Sequence, residues 1–256
     1  MNQVDNINKY TLFVCSDIHS AYTPWMKALD EAGFDENNPR HKIVVCGDIF
    51  DRMGESLQVY DFAKDMLEKD KLIYIRGNHE SLMEECIARG YAAGHDYHNG
   101  TARSIVDLAP HAETFYEACV VVHEKMKPLL DKTINYFETK NYIFVHSFVP
   151  LKNLDGLPMH YTRNRKFAID PDWRHAHASA WEEARWGNPF QLAKQGFLPD
   201  KTLVFGHWST YDQRPRDYEG EDLFDPIYGD GYIGIDATTA LSGKVNVLVL
   251  EDEFIE

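Results

Sequence analysis

Five short clusters of polar residues contain the side chains that could do chemistry in this sequence. They combine carboxylates, imidazoles and an amide, in the order Ser16-Asp17-Ile18-His19, Gly47-Asp48-Ile49-Phe50-Asp51-Arg52, Arg76-Gly77-Asn78-His79-Glu80, Val145-His146-Ser147 and Gly206-His207-Trp208. Such side chains are ligands for transition-metal ions. One cluster alone arises easily by chance, but the five together indicate a metal centre.

The first cluster has a spacing that suits the shared binding of one cation. In extended backbone, residues two apart project to the same face of the chain. We therefore expect Asp17 and His19 to point to the same side and to hold one cation together.

The clusters come directly after short apolar runs of the kind that form buried β-strands. Six such runs, rich in β-branched residues, are 11–15, 43–46, 72–75, 142–145, 202–205 and 245–250. Their near-continuous apolar character is typical of strands that are covered on both faces. Because ligand sites in open α/β sheets collect at the carboxyl ends of the strands, we expect the five clusters to meet there.

Helical patterns lie between these runs. An apolar face at helical spacing separates the second and third runs, and Ser56 is its predicted N-cap. The first part of the chain therefore reads β-α-β-α-β and predicts an α/β layered architecture. From residue 81 to residue 140 the pattern is helical, and we expect a helical insertion or cap there, within a single domain over residues 1–256.

Composition and charge narrow the class of protein. The chain has 256 residues and a formal net charge of −15, which opposes non-specific binding to nucleic acid because such binding depends on lysine and arginine. No apolar run is long enough to span a membrane, and the first residues lack the pattern of a secretory signal. The four cysteines form no C-x-x-C pair, so we expect reduced, buried thiols. These features predict a cytoplasmic protein without a membrane partner.

The five clusters resemble the signature motifs of the calcineurin-like metallophosphoesterases. The sequences DIH, GDIFDR, RGNHE, VHS and GHW carry the resemblance, which extends from Asp17 to His207. GDIFDR and RGNHE are most similar to the serine/threonine phosphoprotein phosphatase branch, including its bacterial and phage members. The resemblance implies an α/β fold in which a β-sandwich is flanked by helices in four αββα layers, in place of a single open sheet.

The resemblance also implies a dinuclear metal site. The ligands that it implies are Asp17 and His19 for the first metal, Asp48 as the bridge, and Asn78, His146 and His207 for the second metal. Two divalent cations would bring four positive charges and the two aspartates only two negative ones, so the site would attract a phosphate dianion. A hydroxide bridging the metals would attack phosphorus. Manganese is the expected metal, and iron, zinc, cobalt and nickel suit the same mixed ligands.

The histidine beside the metal-binding asparagine has a separate role in the family. It faces the leaving-group oxygen and pairs with an aspartate. The resemblance therefore implies that His79 donates a proton to the departing alkoxide and that Asp51 favours the imidazolium form of His79. The alternative for the two residues is a structural ion pair.

Three arginines are candidates for binding the substrate phosphate, because one guanidinium group can donate two parallel hydrogen bonds to two phosphate oxygens. Arg52 has a family counterpart as a phosphate ligand, and Arg185 resembles the second phosphate-binding arginine of the branch. The alternative for Arg76 is a brace that pairs with a carboxylate. The alternative for Arg185 is a helix-surface residue that covers tryptophan.

Two departures from the family pattern bear on loop shape and on substrate. Ser16 and Ser20 stand where the phosphoprotein phosphatase pattern has glycine. The fifth motif continues as Trp208-Ser209 and lacks the second histidine of the G-H-x-H motif in the nuclease and phosphodiesterase branches. This difference favours phosphomonoesters over diesters.

We therefore expect a dinuclear phosphomonoesterase that acts on phosphoserine or phosphothreonine in proteins, or on small phosphate esters. The alternative is a bis(5′-nucleosyl)-tetraphosphate hydrolase, a related branch with nearly the same motifs. A phosphodiesterase or nuclease fits the acidic charge less well, and a non-catalytic scaffold fits the complete ligand set less well. The basic and aromatic segment from Tyr161 to Trp186 forms either a substrate-recognition lip or a packing element.

Overall fold

The strands and helices alternate along the chain, as the sequence predicts. A computed structural model describes residues 9–154, 167–215, 218, 220 and 222–255. The strands in this part of the chain are β1 Lys9–Cys15, β2 His41–Cys46, β3 Leu72–Ile75, β4 Tyr136–Glu138, β5 Tyr142–Val145, β6 Leu151–Asn153, β7 Phe167–Ile169, β8 Thr202–Phe205, β9 Ile227–Gly229, β10 Tyr232–Gly234 and β11 Leu248–Glu253. The helices are α1 Tyr22–Glu31, α2 Ser56–Glu68, α3 Asn78–Arg89, α4 Gly94–Asn99, α5 Thr101–Leu108, α6 Phe115–Leu130, α7 Ala178–Ala184, α8 Pro189–Lys194, α9 Thr210–Gln213 and α10 Thr239–Ser242, with a 3₁₀ turn at Trp173–His175.

The strands form two main sheets. In the first, β1, β2 and β3 are parallel and β11 is antiparallel to β1, which gives the order β11-β1-β2-β3. The second has the order β4-β5-β8-β10-β9, with parallel central strands and antiparallel outer strands. β6 and β7 form a separate antiparallel pair. The five polar clusters follow β1, β2, β3, β5 and β8, all of them parallel strands of the two sheets.

Alternate residues of the strands form the core between the two sheets. Leu12 and Val14 of β1 and Val44 of β2 pack in one buried cluster with Phe144 and Val204 of the second sheet. Because successive side chains in a strand point to opposite faces, the intervening residues face away from this core.

Helices cover the outer face of each sheet. Phe13 and Ile43 of the first sheet share a buried cluster with α1, α2, α3, α5 and α6. Leu203 and Phe205 of the second sheet pack with α7, α8 and Trp173. The protein therefore has the four-layer αββα arrangement, which confirms the predicted fold class.

Three predicted elements differ from the structure. Ser56 is the first residue of α2, and Glu55 takes the N-cap position; the Ser56 hydroxyl lies 2.9 Å from that of Ser20 instead. Of the apolar run 245–250, only the part from Leu248 onward is strand, and β11 continues to Glu253. Of the segment 81–140, the helical part ends at Leu130 and β4 follows, while α3, α5 and α6 belong to the layer on the first sheet.

The four cysteines are all buried and free, as predicted. Burial raises the pKa of the Cys15 thiol to about 12, which keeps it protonated and unreactive. No helix in the described ranges is long and apolar enough to cross a membrane.

Candidate active site

The loops after β1, β2, β3, β5 and β8 meet at one place, which lies at the carboxyl ends of parallel strands from both sheets. These loops bring together the predicted ligands Asp17, His19, Asp48, Asn78, His146 and His207. All six side chains are buried or nearly so. The sheet order explains why residues so distant in sequence become neighbours.

Several site residues adopt a left-handed backbone conformation. The φ angles of Asp17, His19, Asp48, Asp51 and His207 lie between 52° and 79°. The expectation that Asp17 and His19 share one face of an extended strand is therefore wrong, because the chain leaves β1 before Asp17. Their side chains still approach each other, with His19 Nε2 3.9 Å from Asp17 Oδ1. Non-glycine residues in this region are strained, and such strain concentrates at functional sites.

Glu80 holds two of these loops together. Its carboxylate accepts hydrogen bonds from the backbone N–H groups of Asp48 and Ile49 after β2 (both 3.0 Å) and from that of Gly77 after β3 (2.7 Å). The Tyr74 hydroxyl donates a further bond of 2.6 Å. The sequence motif contains Glu80, but its spacing gives no indication of this supporting role.

A first group of ligand atoms surrounds His19. Its Nδ1 lies 3.0 Å from the carbonyl oxygen of Phe50, so Nε2 is the ring nitrogen that would contact a cation. His19, Asp48 and His79 each offer an atom within 4.8 Å of the others. The backbone N–H of His207 donates to Asp17 Oδ2 at 2.8 Å, so Oδ1 is the oxygen left for a cation.

In the second group, three possible ligand atoms converge. His146 Nδ1 lies 2.8 Å from the Cys46 carbonyl oxygen, and a proton on this nitrogen would leave a lone pair at Nε2 for a cation. That Nε2 lies 2.8 Å from Asn78 Oδ1 and 3.1 Å from His207 Nδ1. It also lies 3.5 Å from Asp48 Oδ2. Ligand atoms about 2.1 Å from a metal ion are roughly 3 Å apart, so this donor set fits a divalent cation.

Burial and neighbouring side chains shift the pKa values of two histidines and two aspartates of the site. Burial, and then the neighbouring His79, lowers the pKa of His19 to about 3. Burial, and then the neighbouring His146, lowers the pKa of His207 to about 3 as well. Burial alone would raise the pKa of Asp48, but the surrounding imidazoles outweigh it and the pKa is lowered. The pKa of Asp17 is raised by burial, then by nearby carboxylates. Neutral imidazole and carboxylate are the forms that bind metals.

His79 and Asp51 form a buried hydrogen-bonded pair. His79 Nδ1 lies 2.7 Å from Asp51 Oδ2, and the Thr101 hydroxyl donates to the same oxygen at 2.6 Å. Burial lowers the pKa of His79, but Asp48 and Asp51 outweigh burial and the pKa is raised. His79 therefore presents Nε2 to the cavity while Asp51 orients the ring.

The end of α4 and the start of α5 hold the loop that carries Asp51 through hydrogen bonds. The Ser104 hydroxyl accepts a bond of 2.9 Å from the Asp51 backbone N–H, and the Arg52 N–H donates to the Asn99 carbonyl at 3.2 Å. Between α4 and α5, Gly100 has a φ of 87°, and a Cβ there would lie 2.3 Å from the Arg52 backbone nitrogen. Only glycine permits this close approach.

The three candidate arginines lie in different surroundings. Arg52 lines the cavity, with Nε 3.3 Å from His19 Nε2 and Nη2 3.4 Å from His79 Nε2. Arg76 pairs with the carboxylate of Glu84.

Arg185 is buried and pairs with Glu182 and with Asn135, whose Oδ1 lies 2.6 Å from Nη2. Neither Arg76 nor Arg185 is among the described residues that line the cavity.

Comparison with known proteins identifies the family. The sequence model of the calcineurin-like phosphoesterases matches residues 10–226. The chain belongs to this family. Its αββα sandwich is the metallophosphoesterase fold. Members of this family typically bind divalent metals, and the two groups of His and Asp side chains are candidate places for such ions in this chain.

Solved structures with the same fold include two phosphatases. A "putative diadenosine tetraphosphatase" is 14% identical, with 98% of this chain and 96% of the other covered and a TM-score of 0.52. The cold-active protein-tyrosine phosphatase of a psychrophilic Shewanella species is 12% identical, with 94% and 77% covered and a TM-score of 0.54. At such identities the similarity establishes the fold alone. No curated protein matches this phosphoesterase.

One of the two serines that replace a glycine of the family pattern has a backbone conformation that favours glycine. Ser20 has a φ of 56°, which lies in the left-handed region. The Ser20 hydroxyl lies 2.9 Å from that of Ser56.

Two carboxylates around the cavity were missed by the sequence analysis. The cavity has a volume of about 680 Å³, and its lining includes Asp212 and Asp236 together with Trp186 and Trp208. Asp236 follows β10 in the same way that the predicted ligands follow their strands, so the apolar run before it was the available signal. Of the segment 161–186, residues 161–166 lie outside the described residues. Trp173 in this segment is buried and packs against the second sheet.

Proposed function

We propose that this phosphoesterase is a dinuclear, metal-dependent phosphomonoesterase of the phosphoprotein phosphatase type. The observation that carries the proposal is Asp48, whose carboxylate lies close both to His19 and to His146 and His207, while His79 beside it is hydrogen-bonded to Asp51. The chain thus offers cation ligands and a proton donor in one cavity.

The ligands would divide between two cations, with one carboxylate common to both sets. Asp17 and His19 would hold the first, Asn78, His146 and His207 the second, and Asp48 would contact both. Manganese is our choice for both positions, because mixed imidazole, carboxylate and amide ligands suit it. When bound, such ions act as Lewis acids toward phosphoryl oxygens and make water a nucleophile at neutral pH.

His79 acts as the general acid in this proposal. Asp51 accepts a hydrogen bond from Nδ1, which directs Nε2 toward the cavity, and the raised pKa of His79 favours the imidazolium form. The ring can then transfer its Nε2 proton to the oxygen that leaves phosphorus.

Arg52 binds the phosphate oxygens. Its guanidinium lies beside both the ligand His19 and the general acid His79. Arg52 Nε is 3.3 Å from His19 Nε2, and Arg52 Nη2 is 3.4 Å from His79 Nε2. The contacts of Arg76 with Glu84 favour its alternative role as a brace. A contact of Arg185 with phosphate would require it to leave Glu182 and Asn135.

The setting of the reaction is the cytoplasm, and residues 1–256 act as one domain. Four buried free thiols support a reducing compartment. The helices of segment 81–140 share a core with the first sheet, which supports one folding unit.

The test compares two substrates on manganese-loaded protein. We expect release of phosphate from a phosphoserine peptide and slow cleavage of diadenosine tetraphosphate, measured as kcat/KM for each. Tetraphosphate cleavage far faster than peptide hydrolysis would replace the proposal with the tetraphosphate hydrolase alternative. Two tightly bound metals without any phosphoester turnover would support a scaffold.

A further inference from the structure

Two tryptophans form an aromatic wall of the cavity beside a predicted metal ligand. The Trp186 ring centroid lies 6.2 Å from that of His207, and the Trp208 centroid lies 6.4 Å from it. Trp186 is 50% exposed and Trp208 38% exposed, although large aromatic side chains are usually buried. Both rings therefore offer free area to whatever enters the cavity, next to the place where phosphate would bind.

The position of Trp186 is fixed by its neighbours. Its indole Nε1 lies 3.4 Å from the Glu182 carboxylate. Glu182 in turn pairs with Arg185 and accepts a bond of 3.0 Å from Ser81. A ring that is held before the substrate arrives loses little freedom on binding, which favours affinity.

The charges around the cavity restrict what can lie next to the phosphate. Among the described residues that line it, Arg52 is the only lysine or arginine. Asp212 and Asp236 lie on the lining outside both ligand groups. A substrate with a second anionic group would face these carboxylates, whereas an uncharged aromatic group would not be repelled.

We propose that the cavity selects phosphomonoesters that carry an uncharged aromatic ring close to the phosphorylated oxygen, with Trp186 and Trp208 as the residues that determine this specificity. The inference rests on the proposed phosphomonoesterase activity. The ring would pack against the two indoles, since aromatic pairs are stabilised in offset or edge-to-face geometry.

The test uses two esters that differ only in aromaticity. 2-Phenylethyl phosphate and 2-cyclohexylethyl phosphate have leaving alcohols of nearly equal acidity and size, so the ratio of their kcat/KM values isolates the ring. We expect manganese-loaded wild-type protein to favour the phenyl ester about two- to tenfold. The single variants Trp186→Leu and Trp208→Leu should bring the ratio toward one, while Tyr228→Leu, an exposed aromatic residue of β9, should leave it unchanged.

The outcomes separate this inference from the function on which it rests. Hydrolysis of both esters at equal rates by the wild type would overturn the aromatic specificity and leave the monoesterase intact. A ratio that persists in both tryptophan variants would assign the preference to other residues. Failure to hydrolyse either ester or nitrophenyl phosphate would contradict the phosphomonoesterase itself.

The proposed exclusion of a second anionic group is tested by comparing a charged with an uncharged aromatic ester. A carboxylate on the para position of the phenyl ring should lower kcat/KM, and Asp212→Asn should recover part of the loss. Equal rates for the charged and uncharged rings in the wild type would contradict the role assigned to the acidic lining.

Discussion

Asp48 is the residue on which both ligand groups depend. Its carboxylate lies 3.5 Å from His146 Nε2 and 3.9 Å from His79 Nε2, and it belongs to each group of candidate ligands. We therefore expect Asp48→Asn to weaken both cation sites, because the amide removes a charge and an oxygen ligand from each. Metal analysis after dialysis should show fewer than one bound ion per chain.

The matched control for that variant is Asp212→Asn, which changes a carboxylate of the same cavity that lies outside both groups. It should retain the wild-type metal content. Two tightly bound ions in Asp48→Asn would show that the carboxylate does not bridge.

His79→Asn should separate proton donation from metal binding. The variant should keep its metals yet lose roughly 10²- to 10⁴-fold in kcat for esters with poor leaving groups, the usual contribution of a general acid. The loss should be small for nitrophenyl phosphate, whose leaving group needs no proton. Steady-state kinetics on both substrates measures the difference, and His123→Asn on the exposed side of α6 is the control.

Asp51→Asn should change the pH profile in a defined direction. The hydrogen bond that His79 donates to the Asp51 carboxylate helps to raise the pKa of His79, so its loss lowers that pKa and the proton is lost at lower pH. The alkaline limb of kcat/KM should therefore move to lower pH. An unchanged limb would assign it to a group other than His79.

At the residue scale, the sequence shows which side chains can bind metals but not what holds them in place. The approach of Asp48 and His146 to each other could be predicted, because both residues follow parallel strands whose carboxyl ends meet at one place. Glu80 could not be assigned, because its partners are backbone N–H groups of another loop. The contacts of Arg185 were equally hidden, since Asn135 is 50 residues away.

Helix α5 acts on the site without contributing a ligand. Thr101 at its first turn donates to Asp51 Oδ2, and Ser104 accepts from the Asp51 N–H. Thr101→Val keeps the side-chain shape and removes the hydroxyl. We expect kcat to fall about fivefold, since a hydrogen bond of this kind contributes about 1 kcal/mol, with metal content unchanged.

The comparison for Thr101→Val is Thr114→Val at the start of the next helix. The Thr114 hydroxyl caps α6 by accepting from the Glu117 N–H, so its loss should lower stability by about 1 kcal/mol without changing kcat. An equal fall in kcat for both variants would attribute the Thr101 effect to general destabilisation.

At the element scale, strands were predictable and loop conformations were not. Residues 72–75 and 142–145 form β3 and β5 with the predicted bounds, because a continuous apolar run is a local signal. The left-handed conformation of Asp17 and His19 depends instead on contacts with the loop after β2, such as the bond from the His19 N–H to the Asp48 carbonyl.

The two sheets are joined by the buried carboxylate of Asp252. From β11 of the first sheet, it accepts hydrogen bonds from Thr139 (2.7 Å) and from the Asn141 backbone and side chain (2.8 and 2.7 Å), in the turn between β4 and β5. Asp252→Asn should lower the free energy of unfolding by about 1.5–3 kcal/mol at pH 7, the range for hydrogen bonds to a charged group. Urea unfolding measures the change.

The effect of Asp252 should depend on pH with a definite sign. Burial raises its pKa, but the hydrogen bonds outweigh burial and the pKa is lowered in the folded protein. Its contribution is thus complete above the unfolded-state pKa of about 3.9 and is lost as the pH falls through the lower folded pKa. The difference between wild type and Asp252→Asn should therefore shrink between pH 4 and pH 2. A difference that grows toward low pH would contradict the assignment.

The residues with left-handed backbone conformation around the cavity limit how far the thermal stability of this protein can be raised without loss of activity. Seven of the nine described non-glycine residues with positive φ lie in the loops after β1, β2 and β8, and each costs roughly 1–3 kcal/mol. Replacing Asp51 or His207 with glycine would relieve strain. Directed evolution for heat resistance alone would therefore enrich inactive variants at these positions, so a selection for thermal tolerance needs an activity screen in every round.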